Sequence, residues 1–266
     1  MKFLVHILGL ACLCYGIIAA ALYIFQEKML FFPMGPAFGK CPAMDRAGAE
    51  SLEGRGVRYY LRRSADPAQW VVVFHGNAGG ACDRTYFFDL FSGTRSHVVI
   101  CEYPGYGGDN GRPGEKPILD AALALVTGIR TGPDGDLPIF LAGESLGTGV
   151  ATWTATQTPA AGLILISAYT AIAKVAQHHY PWLPARRLLR HKFPADTWAR
   201  NCTAPALLFH GDRDDIIPIE FARQQVTRFK GRARLMEIPG AGHNDIVDLG
   251  QDRIKAEIRR FLAGQG

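Results

Sequence analysis

Apolar positions fall in two kinds of run. The first is long: Phe3 to Phe25 holds 23 residues without a formal charge, between Lys2 and the pair Glu27 and Lys28. As a helix it would be about 35 Å long, enough to cross a bilayer core with some tilt. The others are short. Trp70 to Phe74, Val98 to Glu102, Ile139 to Ala142, Leu163 to Ile166, Ala206 to Phe209 and Leu235 to Ile238 are nearly continuous apolar stretches, as expected of strands buried on both faces. Tyr59 to Leu61 reads as an edge strand. Between these lie segments of helical spacing: Asp83 to Ser92, Lys116 to Arg130, Leu146 to Gln157, Phe221 to Phe229 and Ile246 to Leu262. In Lys116 to Arg130 the apolar stripe is Ile118, Ala122, Leu125, Val126 and Ile129. Strands alternating with helices predict an α/β fold, a mostly parallel sheet covered on both faces.

The pattern divides the chain into three parts: an N-terminal transmembrane anchor over 1–28, a membrane-proximal linker rich in Pro and Gly over 29–49, and one domain over 50–266. Ala19-Ala20-Ala21 could serve as a signal-peptide cleavage site. An uncleaved signal-anchor is the better reading, because the apolar run continues through Leu22-Tyr23-Ile24-Phe25. The flanking Lys2, Lys28 and Lys40 do not fix which side of the membrane the domain faces.

Composition narrows the class. An apolar share of 48% over 266 residues builds a sizeable core. The net charge of +5 comes with no long basic run, so nucleic acid is not an expected partner. The six cysteines have no metal-ligand spacing, and neither a metal nor a cofactor is expected. Cys101 falls in a strand pattern and reads as a small buried hydrophobe. The four cysteines beyond the anchor permit disulfides without requiring them.

The chemistry collects where strands end, which in α/β sheets is where sites form. Gly143-Glu144-Ser145-Leu146-Gly147 sits between a strand and a helix. This G-x-S-x-G pattern exposes a serine on a sharp turn, and its glycines let strand and helix approach closely. The following helix aims N–H groups at an anion forming near Ser145. His75-Gly76-Asn77-Ala78-Gly79-Gly80 allows a tight turn whose backbone N–H can join that of Leu146 as an oxyanion hole. His210-Gly211-Asp212-Arg213-Asp214-Asp215 offers three carboxylates to orient a histidine, and spacing alone does not choose among them. Gly240-Ala241-Gly242-His243 leaves His243 room to act as general base. His75 and His210 read as braces for their turns. His97 precedes a strand, His6 lies in the anchor, and His178, His179 and His191 fall in the expected cap. Taking Asp214, the chain order is Ser145, Asp214, His243, the order of the α/β-hydrolases.

With these residues in view, the sequence resembles the N-terminally anchored α/β-hydrolase-domain serine hydrolases, the ABHD-like proteins. The resemblance runs from Leu30-Phe31-Phe32-Pro33 through His75-Gly76-Asn77-Ala78-Gly79, Tyr103-Pro104-Gly105-Tyr106-Gly107 and the Ser145 pentapeptide. It continues through Tyr180-Pro181-Trp182-Leu183-Pro184 and His210-Gly211-Asp212-Arg213-Asp214 to Gly240-Ala241-Gly242-His243. It implies that Asp214 is the triad acid and that Asn77 and Leu146 supply the oxyanion N–H groups. It also implies hydrolysis of an ester or thioester of an acyl substrate, a lipid or an acylated protein, through an acyl-enzyme. A peptidase or acyltransferase is the other reading, and a non-catalytic binding protein a third. The fold usually inserts a cap beside the acyl pocket, here about 169–201. Its Tyr180, Trp182, Leu183, Leu188, Leu189 and Phe193 alternate with Arg186, Arg187, Arg190, His191 and Lys192. That interleaving suits a membrane headgroup region, as well as an ordinary cap with a solvated face.

Overall fold

The structure, a computed structural model, describes residues 1–264. In chain order its elements are α1 (Lys2–Leu30), α2 (Pro42–Arg46), β1 (Glu50–Gly54), β2 (Val57–Arg62), β3 (Gln69–Phe74), a 3₁₀ turn (Ala81–Arg84), α3 (Tyr86–Leu90), β4 (Ser96–Glu102) and α4 (Glu115–Arg130). Then follow β5 (Ile139–Glu144), α5 (Leu146–Gln157), β6 (Gly162–Ile166), α6 (Ile172–His179), α7 (Ala185–Leu188), α8 (Ala195–Ala199), β7 (Ala206–Gly211), α9 (Ile219–Val226), β8 (Ala233–Ile238) and α10 (Ile246–Leu262).

Among the described residues the sheet has eight strands in the order β1-β2-β4-β3-β5-β6-β7-β8. From β4 to β8 neighbours pair in parallel, and β2 runs antiparallel to both β1 and β4. Every residue of β3, β4, β6 and β7 is buried, which accounts for their continuous apolar runs. Alternate side chains feed two cores. Val72, Phe74, Leu141 and Leu165 pack with α4 and α5 on one face. Val71, Val73, Ala142 and Ile164 pack with α3 and α10 on the other.

Three expectations change. Tyr59–Leu61 is not an edge strand, because β1 pairs outside it, Ser51 opposite Tyr60. β1 is polar and mostly exposed, so it carries no apolar alternation to announce it. The helix expected over Asp83 to Ser92 is a 3₁₀ turn followed by the short α3. His97 lies inside β4, where its ring accepts the Ser64 N–H at 3.0 Å and pairs with Asp134 at 3.2 Å.

Beyond α1 the Pro- and Gly-rich stretch is packed on the domain. Phe31 and Met44 are buried, and Cys41 forms a disulfide with Cys82. Cys101 and Cys202 are buried free thiols, and burial pushes both up from the ordinary thiol range. The segment between β6 and β7 holds α6, α7 and α8 and rests against α1. Gln26, buried on a helix otherwise largely exposed, accepts the Arg190 N–H at 2.7 Å. Glu27 lies 3.5 Å from Arg190 and 3.4 Å from His191. The Arg190 guanidinium also covers the Tyr23 ring, so this arginine, exposed like Arg186 and Arg187, holds the helix.

Candidate active site

Ser145 stands between β5 and α5 with φ 49° and ψ −117°. That is a left-handed backbone for a residue with a Cβ, and it persists only where the surroundings enforce it. Two glycines make the enforcement sterically feasible. A Cβ on Gly147 would overlap the Phe74 carbonyl of β3, and one on Gly143 would overlap the Gly147 carbonyl. The Ser145 N–H donates to Ile166 O at 2.9 Å, tying the turn to β6.

Asp214 and His243 arrive from the loops after β7 and β8. His243 Nδ1 lies 2.7 Å from Asp214 Oδ2, and its Nε2 lies 3.1 Å from Ser145 Oγ. A carboxylate can only accept, so Nδ1 carries the proton and Nε2 presents a lone pair to the serine hydroxyl. Asp214 Oδ1 accepts the Ile216 and Ile217 N–H groups at 3.0 and 2.7 Å. Burial alone would favour the neutral acid. Hydrogen bonds from His210 and His243, the His243 charge and the Ile217 N–H outweigh it and hold the carboxyl well below its usual range. His210 Nε2 is 2.7 Å from Ile217 O and 3.3 Å from Asp214 Oδ2, so it braces the loop carrying Asp214. Asp212 and Asp215 are exposed, and Asp212 caps the Gly240 N–H at 2.6 Å.

Asn77 and Leu146 are the other two residues singled out by sequence. Leu146 opens α5, so its N–H has no partner within the helix. Asn77 follows β3, beside the elbow, where Gly76 lies against the Ser145 Cβ. His75 Nδ1 contacts Gly76 O at 2.7 Å, in the same peptide plane as the Asn77 N–H. Its Nε2 is 3.5 Å from the buried Glu102 carboxylate. Tyr103 donates to His75 O at 2.9 Å and Tyr106 to Asn77 O at 2.8 Å. Burial raises both phenols, so each stays a donor.

A network beside Ser145 is absent from the sequence reading. Glu144, the variable residue before Ser145, accepts from Arg84 at 2.6 Å and from Tyr86 at 2.5 Å. Arg84 also donates to Ala78 O at 2.9 Å, joining the elbow to the 75–80 loop. The available signal was the charge itself: a carboxylate ending a buried strand needs a partner.

A family model described as serine aminopeptidase, S33, matches residues 65–200, and one described as TAP-like protein matches residues 185–265. An uncharacterized protein of Mycobacterium tuberculosis is 36% identical over 246 residues, 89% of this chain and 87% of that one. The chain belongs to the α/β-hydrolases. This α/β-hydrolase resembles the ABHD group and is an enzyme of the serine hydrolase class. It is 31% identical over 194 residues to the lysophosphatidylserine lipase ABHD12 of Danio rerio, covering 65% of this chain and 50% of the lipase. The match thus spans half of that lipase's length. A bacterial membrane phospholipase A superposes with a TM-score of 0.63 at 16% identity, covering 100% of this chain and 99% of that one, a likeness of fold alone.

Proposed function

We propose that this α/β-hydrolase is a membrane-anchored esterase that cleaves acyl esters of lipids through an acyl-enzyme on Ser145. The observation that carries the reading is the hydrogen-bonded line from Asp214 through His243 to Ser145 at a left-handed elbow. His243 Nε2 takes the hydroxyl proton as Ser145 Oγ attacks the acyl carbonyl. The Asn77 and Leu146 N–H groups receive the oxyanion, and the Asp214 carboxylate stabilises the imidazolium. The tetrahedral intermediate expels the alcohol, which takes the proton from Nε2. Water then repeats the sequence to free the acid and Ser145. No cofactor enters these steps.

The lipid part of the proposal rests on α1 and its surroundings. The helix Lys2–Leu30 is long and apolar enough to cross a membrane. Phe3, Leu4, Leu8, Leu10 and Leu13 stand exposed along it, an apolar face that a bilayer would cover. Further along, Ala19, Leu22 and Leu30 face Ile172, Leu183 and Leu188 of the cap across an apolar groove. At the cap tip Trp182 and Tyr180 are exposed, and Trp182 packs edge-on against Tyr15 of α1. The tip carbonyls are satisfied within the protein. Leu183 N–H donates to Tyr180 O, the Gln177 carboxamide to Pro181 and Leu183, and Tyr15 to Trp182. Backbone that meets hydrocarbon needs this. The names of the matched lipases support the same substrate class. The Cys41–Cys82 disulfide supports a domain on the oxidising side of the membrane.

The match to the serine aminopeptidase family favours a second reading, an aminopeptidase. The test uses the full chain in lipid vesicles, with a panel of esters and thioesters graded by acyl length, lysophospholipids and aminoacyl p-nitroanilides. Ester turnover that rises with acyl length and vanishes in Ser145→Ala is expected, along with fluorophosphonate labelling of wild type alone. Turnover confined to the anilides would favour the peptidase. A Ser145→Ala enzyme with wild-type rates would sink both.

A further inference from the structure

The last turn of α1 does more than join an anchor to a domain. Leu30 O, one of the carbonyls left without a partner at a helix C-terminus, accepts the Asn77 carboxamide at 2.9 Å. A carbonyl only accepts, so the Asn77 Nδ2 group is the one that faces it. Phe32 then donates its N–H to Asn77 O at 3.0 Å and accepts the Gly79 N–H at 3.1 Å. Phe32 and Ala78 form an isolated parallel β-bridge. Phe31, between these contacts, is buried against the core and packs edge-on against His191 of the cap. Nine residues on, the Cys41–Cys82 disulfide fastens the same stretch just past the 75–80 loop.

These contacts converge on the glycine-rich loop that carries Asn77, which Arg84 also holds through Ala78 O. Gly76, Gly79 and Gly80 leave its backbone few steric limits, and Gly79 sits at φ 74°. An oxyanion donor, in contrast, must be fixed within tenths of an ångström of its place. His75 holds the carbonyl side of the Gly76–Asn77 peptide and Tyr106 holds Asn77 O. The Asn77 side chain holds the residue itself, and its hold is on the anchor.

We propose that the Asn77 carboxamide is a positioning group for the oxyanion hole, and that the end of the membrane anchor, Leu30 to Phe32, is a structural part of the active site. The proposal rests on the reading of Ser145, His243 and the Asn77 N–H given above. With its Nδ2 group on Leu30 O, the carboxamide acts through the Asn77 backbone and not on substrate. It sets the Asn77 N–H against the developing oxyanion, so its loss falls on the transition state and spares ground-state binding. A helix-capping role alone would lower stability and leave the chemistry of each folded molecule intact.

The experiment uses the full-length protein in detergent micelles, with p-nitrophenyl butyrate as substrate and active sites counted by fluorophosphonate titration. Asn77→Leu keeps the approximate volume and removes the donor, and Asn77→Ala removes both. Each is expected to lower kcat per titrated site about 10- to 100-fold with KM within about twofold, the scale of losing or displacing one oxyanion donor. Affinity for phenylboronic acid should fall in parallel, because its tetrahedral adduct on Ser145 places a charged oxygen in the same hole. Unchanged kcat per site and unchanged boronate affinity in a folded variant would overturn the proposal. Should neither variant fold, Tyr106→Phe removes the hydroxyl that holds Asn77 O from the other side. It too is expected to lower kcat at constant KM, and a wild-type kcat there would count equally against the proposal. Wild-type turnover by Ser145→Ala would instead show that the underlying reading is at fault.

Discussion

Replacing Asp214 by Asn separates the candidate acid from its two neighbours. The carboxylate accepts four contacts: Ile216 and Ile217 N–H on Oδ1, and His243 Nδ1 and His210 Nε2 on Oδ2. An asparagine can satisfy only one side. With its oxygen toward Ile216 and Ile217, the NH₂ faces His243 and His210. His243 must then place its proton on Nε2, where it cannot accept from Ser145, and the NH₂ opposes the His210 donor. With the amide flipped, the NH₂ points at two backbone donors that are left unsatisfied, a cost of about 1–3 kcal/mol. In either orientation the charge that stabilises the imidazolium is gone. The expected loss is about 10⁴ in kcat, or about 5.5 kcal/mol of transition-state stabilisation. Asp212→Asn keeps an oxygen for the exposed Gly240 N–H contact, so its kcat should stay within about threefold. The assay is ester turnover per fluorophosphonate-titrated site, alongside thermal unfolding of both variants. A folded Asp214→Asn enzyme within tenfold of wild type, or a larger loss in Asp212→Asn, would refute the assignment.

Three further outcomes follow from the same contacts. Gly147→Ala forces a Cβ into the Phe74 carbonyl, so it should destabilise by about 1–3 kcal/mol and displace Ser145 enough to cost about 100-fold in kcat, read by denaturant titration and turnover. Opening the Cys41–Cys82 disulfide, which spans 41 residues, should cost up to about 4 kcal/mol from the loop entropy it restrains, and unfolding with and without a reductant checks this. Asp214 is held below its ordinary carboxyl range, so the unfolded chain binds more protons than the native one below about pH 4. Its stabilisation is therefore present above that pH and lost on further acidification. Asp214→Asn should accordingly show a shallower loss of stability than wild type between about pH 4 and 2, and parallel acid profiles would contradict this.

The most legible parts of the chain were those whose signal is local. Trp70-Val71-Val72-Val73-Phe74 can only be a strand buried on both faces, and it is fully buried as β3. The Ser145 pentapeptide specifies its own turn, because its glycines answer steric demands between segments next to it in the chain. The spacings of Leu146–Gln157 and Ile246–Leu262 gave helices that coincide with α5 and α10. Solvent exposure and the sterics of a few neighbouring residues decide all of these. β1 escaped because an exposed, polar edge strand has no apolar period to read. What remained depended on which distant segments meet. Cys41 finds Cys82 and not Cys101 or Cys202, since only that pair shares a surface once the stretch after α1 lies on the domain. Residue chemistry could not rank Asp212, Asp214 and Asp215. In the fold Asp214 is buried beside His210 and faces His243, while Asp212 and Asp215 stay in water, and this supports the proposed choice. The Arg84–Glu144–Tyr86 network and the hold of Asn77 on Leu30 are likewise properties of closure. A hydrogen bond across 47 residues leaves no trace in local pattern, because either partner alone could be satisfied by water.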